Sequence, residues 1–373
     1  MKNANLTRER LRPHGMVAAG CRDCKFFETC RGIEPDLSLM NCFDLHCCRK
    51  PDECEFHCSN NNSYTEQYRE IGSSYGFEDL KSIRQDRMLR LPLYVPVIQH
   101  ASARRQNLDC GAVVINTSDV LKMKEGRLQP RASDGRDLRK KWKLAPKTPV
   151  ILCGTGDDPP LEKYYAHRRL DHVPEAIAGL GISIAIGPNF SHVLDAVRTD
   201  NMFNRRRQLK CLEELSVAGI SAVPHLNHAQ HGDWEFWAGY LKYNSSIAYV
   251  AKEFQTGNKN RVEGESSLSQ IRTLQEKIGR PLHPILIGGA QFTEVASSLF
   301  ESFTILDSTP FTKARMRQLL CIHGSKLKSW PQKPFDDPID LLLASNIKEY
   351  AKWIATRVQV ERSRRNHSAA AAV

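Results

Sequence analysis

Eight cysteines crowd between Cys21 and Cys58: Cys21, Cys24, Cys30, Cys42, Cys47, Cys48, Cys54 and Cys58. Thiolates this dense, in a chain that reads as cytoplasmic, are metal ligands more often than packing groups. A segment of about 40 residues cannot bury a useful core, so bound metal would supply its folding free energy. Eight thiolates suffice for two four-cysteine zinc sites, with His46 and His57 able to replace one or two of them. An iron–sulfur cluster is the rival, because it also takes four cysteines. The opening Cys21-x2-Cys24-x5-Cys30 matches neither common ferredoxin spacing, which favours zinc. The other four, Cys110, Cys153, Cys211 and Cys321, read as inert core thiols.

A second group of reactive residues closes a series of short apolar runs. Gly154, Gly156, Asp157 and Asp158 follow one, and Asn189 and Ser191 the next. His225 and Asn227 follow a third, and Lys252, Glu253 and Gln255 a fourth. Gly288, Gly289 and Gln291 follow a fifth, and Asp307 ends the last. One polar strand end is usually a helix cap, but six in succession suggest a ligand pocket. His225, His228 and His231, with Asp233 nearby, could instead hold the metal of a hydrolase. The glycine pairs could let a phosphate or a flat base approach the backbone, although each alone is no more than a tight turn.

The chain has 373 residues and a formal net charge of +11, which favours polyanionic partners. Arg104-Arg105, the stretch from Arg136 to Lys143 around Trp142, and Arg205-Arg206-Arg207 are candidate nucleic-acid contacts, with a solvated face as the plainer reading. No apolar run is long enough to span a membrane, and the basic start from Met1 to Arg12 has no apolar stretch that would direct secretion. A cytoplasmic location is expected, and oligomeric state is left open.

The apolar runs are 93–98, 112–116, 149–154, 182–187, 220–225, 247–252, 284–289 and 303–308. They are continuous rather than alternating, as strands buried on both faces are in a parallel sheet. Helical patterns separate most of them. Leu268, Ile271, Leu274 and Ile278 share one helical face, Gly279 stops it, and a further helix fits 294–302. Eight strands at this spacing predict an α/β fold, a (β/α)8 TIM-like barrel with an N-terminal Cys-rich metal-binding module, with a doubly wound sheet as the alternative. Pro96, Pro224 and a short first connection are the irregular points. The expected segments are a basic lead and cysteine module over 1–63, a helical connector over 64–90, the barrel over 91–325, and a helical extension with a basic disordered tail over 326–373.

The stretch His-Pro-Ile-Leu-Ile-Gly-Gly from His283, a helix, and then Phe-Thr-Ile-Leu-Asp-Ser-Thr-Pro-Phe-Thr-Lys-Ala-Arg up to Arg315 resembles the end of the tRNA-guanine transglycosylase barrel, a superfamily that includes DNA-modifying deazapurine transglycosylases. The resemblance implies that Asp307 is the nucleophile that attacks the ribose C1′, that Arg315 contacts nucleic acid, and that Gly288 and Gly289 lie near the bound base. Asp157, Asp158 and Glu253 are candidates for the second acid or base by strand position. That family carries its zinc ligands after the barrel, whereas the cysteines here precede it. The segment around Gly187, Pro188 and Asn189 also resembles uncharacterised bacterial barrel families. The leading expectation is a nucleic-acid-modifying enzyme that exchanges bases through an aspartate. The alternatives are a non-catalytic nucleic-acid-binding barrel of a mobile-element or defence system, and the histidine-loop hydrolase.

Overall fold

The computed structural model describes residues 17–33, 40–46, 50, 53–54, 56–85, 90–182, 184–324, 327–334, 336 and 338–370. In chain order they form α1 (Phe27–Cys30), α2 (Cys42–His46), α3 (Tyr64–Glu70), β1 (Tyr94–Pro96), β2 (Val113–Asn116), α4 (Thr117–Val120), β3 (Leu121–Lys124), β4 (Arg127–Pro130), α5 (Gly135–Lys141), β5 (Val150–Cys153), α6 (Asp158–His167), α7 (Val173–Gly179), β6 (Ile184–Ile186), α8 (Arg198–Val217), β7 (Ser221–Val223), α9 (His231–Tyr243), β8 (Tyr249–Glu253), α10 (Arg261–Ile278), β9 (His283–Ile287), α11 (Thr293–Leu299), β10 (Thr304–Asp307), α12 (Thr309–Arg315), β11 (Cys321–His323), β12 (Leu327–Ser329) and α13 (Ile339–Ala370). No helix among the described residues is long and apolar enough to cross a membrane.

The chain divides into two compact units. One comprises Met1–Ser82, Phe190–Cys211 and Leu226–Asn244; the other comprises Ile83–Asn189, Leu212–His225 and Ser245–Val373. The expected division into consecutive segments is therefore replaced by an interleaved one. Of the connector expected over 64–90, only α3 is helical among its described residues, and the first unit runs to Ser82.

The second unit is an α/β structure. Two four-stranded parallel sheets have the orders β1-β10-β9-β8 and β2-β5-β6-β7. The strands are short, mostly apolar and buried along most of their length, which is why the eight runs read as continuous rather than alternating. Isolated parallel bridges join Val97 to Val114 and His225 to Ala251. The Ile98 amide donates to the Val114 carbonyl (2.9 Å) and the Ala251 amide to the Pro224 carbonyl (2.8 Å). A single apolar cluster draws on all eight strands, with Val95, Val114, Ile151, Ile184, Val223, Ala251, Ile285 and Leu306 among its members. Pro96 ends β1 opposite Asp307, and Pro224 lies just past β7, so neither removes a donor from mid-strand. The stretch between β1 and β2 contains no helix, as its length suggested. β3 and β4 form a separate antiparallel hairpin.

Local signals account for the helix ends. Asp134 caps α5 by accepting from the Arg136 and Asp137 amides, and Asn260 caps α10 through the Val262 amide. Gly279 closes α10 at φ +67°, a left-handed position that favours glycine. The helical extension expected over 326–373 is α13, whose Leu343, Ile347, Tyr350 and Ile354 form a buried face, and the helix runs on to Ala370 through the basic stretch expected to be disordered.

Gly264 sits inside α10 where a Cβ would lie 2.1 Å from Phe292 Cζ. Alanine would normally gain about 1 kcal/mol in a helix interior. Here Gly264→Ala should instead destabilise the protein by about 1–3 kcal/mol through overpacking. Urea unfolding checks this; an unchanged or raised midpoint would mean that the Phe292 ring yields.

Candidate functional site

Asp307 ends β10 with its side chain almost buried. Its Oδ1 accepts from the Thr309 amide (2.7 Å) at the start of α12, and its Oδ2 accepts from the Tyr350 hydroxyl (2.7 Å) on α13. Its carbonyl accepts from the Val97 amide (3.1 Å) and the Tyr94 hydroxyl (3.3 Å). Two donors on the carboxylate fix its direction. Lys328 Nζ stands 3.5 Å from the same Tyr350 hydroxyl and 3.8 Å from the centre of the Trp353 ring. Burial pushes the Lys328 ammonium down to about 8, partly opposed by Asp307. Tyr350 and Lys328 were not found from sequence. A tyrosine among α13's apolar positions was the available sign, since a buried phenol needs a polar partner.

The neighbouring strand end is built from glycine. Gly288 adopts φ +73°, its amide donates to the Leu306 carbonyl (2.7 Å), and a Cβ there would meet Gln255 Cγ at 2.4 Å. Gly289 would place a Cβ 2.8 Å from that of Leu286. Gly288 is favoured by its left-handed backbone, and Gly289, at φ −89°, by the lack of room for a Cβ beside Leu286. Gln255 and Gln291 are exposed, and Gln291 donates to the Lys259 carbonyl (2.9 Å). Lys252 is buried in β8 and His225 is buried after β7. Gly154 packs against Gly187, and its carbonyl accepts from the Asn189 amide (3.0 Å), whereas a Cβ on exposed Gly156 would meet nothing.

The proposed second acids are not gathered around Asp307 by any direct bond. Glu253 is buried, but its Oε1 accepts from the Gln255 and Thr256 amides and its Oε2 from the Thr256 hydroxyl (3.0 Å). It holds its own loop. Asp157 and Asp158 are exposed at the start of α6, and Arg315 is exposed at the end of α12. Ser191 and Asn227 belong to the other unit. Asn227 is buried and donates to the Phe190 carbonyl (2.9 Å), while its own carbonyl accepts from Trp237 Nε1 (2.7 Å).

The basic runs need correction. Arg104 is buried, donates to the Trp142 and Lys143 carbonyls (2.9 and 2.5 Å), and approaches Asp340. Trp142 is buried beneath the run once read as an aromatic-basic surface. Arg205, Arg206 and Arg207 are all buried. Arg206 donates to the Ile71 and Gly76 carbonyls (3.0 and 2.8 Å) and to Asp79 (2.5 Å), and Arg207 lies over the Phe190 and Phe203 rings. These guanidiniums satisfy interior acceptors and are not phosphate contacts. Exposed Arg136, Lys140 and Lys141 of α5 remain.

In the first unit, every residue of α8 from Asn201 to Cys211 is buried although the stretch is rich in charge. Its Arg198 meets Asp233 of α9 in a two-pronged pair (2.6 and 3.2 Å), and Arg205 reaches the same carboxylate (2.8 Å). Burial alone would raise Asp233, but the two guanidiniums hold it well below the usual carboxylate range. Asp233 also accepts from the Ala229 and Gln230 amides and completes the capping box of α9. It therefore has no oxygen left for the metal that the histidine loop suggested. His228 packs on Trp234, and His231 faces Glu235 at 3.5 Å.

Four of the eight clustered cysteines, Cys21, Cys24, Cys30 and Cys42, line one cavity together with Arg198. Cys21, Cys30 and Cys42 are buried; Cys24 is half-buried. Burial pushes the Cys42 thiol up to about 12, with Cys30 and Cys21 adding to the rise and Arg198 opposing it. Cys54 and Cys58 do not line this cavity, and Cys47 and Cys48 lie outside the described residues. Among the described residues no three His, Cys, Asp or Glu side chains are arranged to hold a single metal ion. His57 is not a spare ligand. Its Nδ1 is 2.8 Å from Gln67 Oε1 and its Nε2 2.7 Å from the Tyr75 hydroxyl, and its ring stacks on Tyr64 and Phe203.

No family model matches the chain, and no curated protein is detectably similar to it.

Two outcomes follow. Asp233→Asn leaves two buried guanidiniums facing a neutral amide and should cost about 3–5 kcal/mol in urea unfolding; a loss under about 1 kcal/mol would mean the pair is not what holds α8 to α9. Burial pushes both His57 and His192 down to about 4 from an ordinary value of 6.5. Protonation then favours the unfolded chain, so their contribution is intact above pH 6.5 and falls as pH drops toward 4, by about 3 kcal/mol for each at the limit. Thermal melts across that window check it, and a flat melting temperature would contradict it.

Proposed function

We propose that the two parallel sheets close into one (β/α)8 barrel and that the chain is a nucleic-acid base-exchanging enzyme with Asp307 as its nucleophile. The bridges at Val97–Val114 and His225–Ala251, and an apolar cluster fed by every strand, support closure. The observation that carries the catalytic reading is the Asp307 carboxylate itself. It sits at the C-terminal end of a parallel strand, where such barrels keep their chemistry, and is oriented by the Thr309 amide and the Tyr350 hydroxyl. The glycine-built end of β9 lies beside it, with the Gln255 side chain packed against Gly288.

In this reading Asp307 attacks C1′ and a carbon–oxygen ester bond forms as the glycosidic carbon–nitrogen bond breaks. The departing base keeps the electron pair and takes a proton from a general acid. The incoming base then attacks C1′, releases the Asp307 carboxylate and gives up a proton. Splitting the exchange into two displacements lowers each barrier. The formal charge of +11 and the exposed cations of α5 suit a polyanionic substrate.

The test is incubation with duplex DNA and with RNA, followed by denaturing electrophoresis. The wild-type chain should give a denaturant-resistant adduct with one of them. Asp307→Asn should abolish the adduct while equilibrium binding stays within about threefold. An adduct that persists in Asp307→Asn, or none with either polymer, would remove the assignment.

A further inference from the structure

We infer that Cys21, Cys24, Cys30 and Cys42 hold an iron–sulfur cluster. The inference stands on the first unit alone and is independent of the reading of Asp307.

Three observations lead to it. The four cysteines line one small cavity, part of it open to solvent. Yet no three of them are arranged around a position for a single ion. A structural zinc requires its four thiolates about 2.3 Å from one point. A cluster places each thiolate on a separate iron around a larger core, so its cysteines surround a volume rather than converge on a point. Four cysteines that line one cavity supply the thiolate set a cluster takes.

The second observation is charge. Arg198 and Arg205 are both buried and share the single carboxylate of Asp233. Arg198 also lines the cysteine cavity and faces the Cys30 sulfur. Among the described residues, the Nε atoms of Arg198 and Arg205 and the Nη2 of Arg205 are buried with no hydrogen-bond partner. Two cations against one anion leave a positive excess in a region where an uncompensated charge is costly. A cluster with four thiolates is a net anion with several weakly basic sulfurs. It supplies both the missing charge and sulfur acceptors beside the Arg198 guanidinium, which lines the cavity.

The third observation is the local frame. The Cys21 carbonyl accepts from the Cys24 amide (3.0 Å), the Cys24 carbonyl from the Phe27 amide (2.9 Å), and α1 delivers Cys30. Three ligands are therefore set by consecutive tight turns, and α2 brings the fourth at its first residue. Ala18, Cys21, Ile33 and Cys42 form a small apolar cluster, with Val17, Phe27 and Phe43 packed against it. That wall would shield a cluster on one side.

The experiment is anaerobic purification of the full chain from iron-replete cells, with iron, acid-labile sulfide and zinc measured on the same sample. Iron and sulfide should appear in equal amounts, about two to four of each per chain, with a broad visible absorption that dithionite bleaches. Cys24→Ser and Cys42→Ser should each lose at least half of both, and Cys110→Ser should keep the wild-type content. Zinc in place of iron, or neither metal in the wild-type chain, would overturn the inference. So would full iron content in Cys24→Ser or Cys42→Ser. Cys24 is only half-buried, so its serine variant is the one expected to stay soluble, and the wild-type measurement decides between cluster and zinc without any variant.

Discussion

The first unit depends on one carboxylate. α8 carries Arg198, Asp200, Arg205, Arg206, Arg207 and Lys210 into the interior, and a helix this polar has no intrinsic reason to be buried. Asp233 makes it tolerable for Arg198 and Arg205, and Asp79 with two backbone carbonyls does so for Arg206. Because Asp233 also starts α9, the ion pair joins the two helices and sets where the cysteine cavity's arginine points. The order of dependence runs from charge compensation to helix placement to the environment of the sulfurs.

The second unit is organised by apolar burial instead. Its strands are three to five residues long, and they tile a single core with alternate side chains such as Val95 and Val97, Ile151 and Cys153, and Ile285 and Ile287. Polar residues collect just past the strands, where the chain turns out of the sheet. Some are used locally, as Glu253 is in its loop. Asp307 differs in being held from two separate elements, α12 and α13.

Much of this second unit was legible in sequence. Strands covered on both faces leave unbroken apolar runs, and all eight runs correspond to paired strands. α10 was legible because amphipathic spacing and a stop glycine agree on its end. The first unit was not, because its pairings are remote in sequence. The His57 amide bonds Asp200, 143 positions away, and no local pattern announces that. The arginine run at 205–207 was misread for the same reason. A basic tripeptide looks identical whether it faces phosphate or a buried carboxylate that arrives from another segment. The cysteines were legible as a group, but which four would share a cavity depended on the turns between them.

The interleaved composition of the first unit has a consequence for synthesis. The segment that ends at Ser82 emerges from the ribosome well before Thr199, Asp200 and Phe203, which satisfy His57, and before Asp233, which neutralises the arginines. The cavity lined by Cys21, Cys24, Cys30 and Cys42 stays incomplete until Arg198, Thr199 and Met202 have been made. A nascent chain in that interval lacks part of the wall around these thiols, and a fragment cut at the Ser82 boundary would lack it permanently.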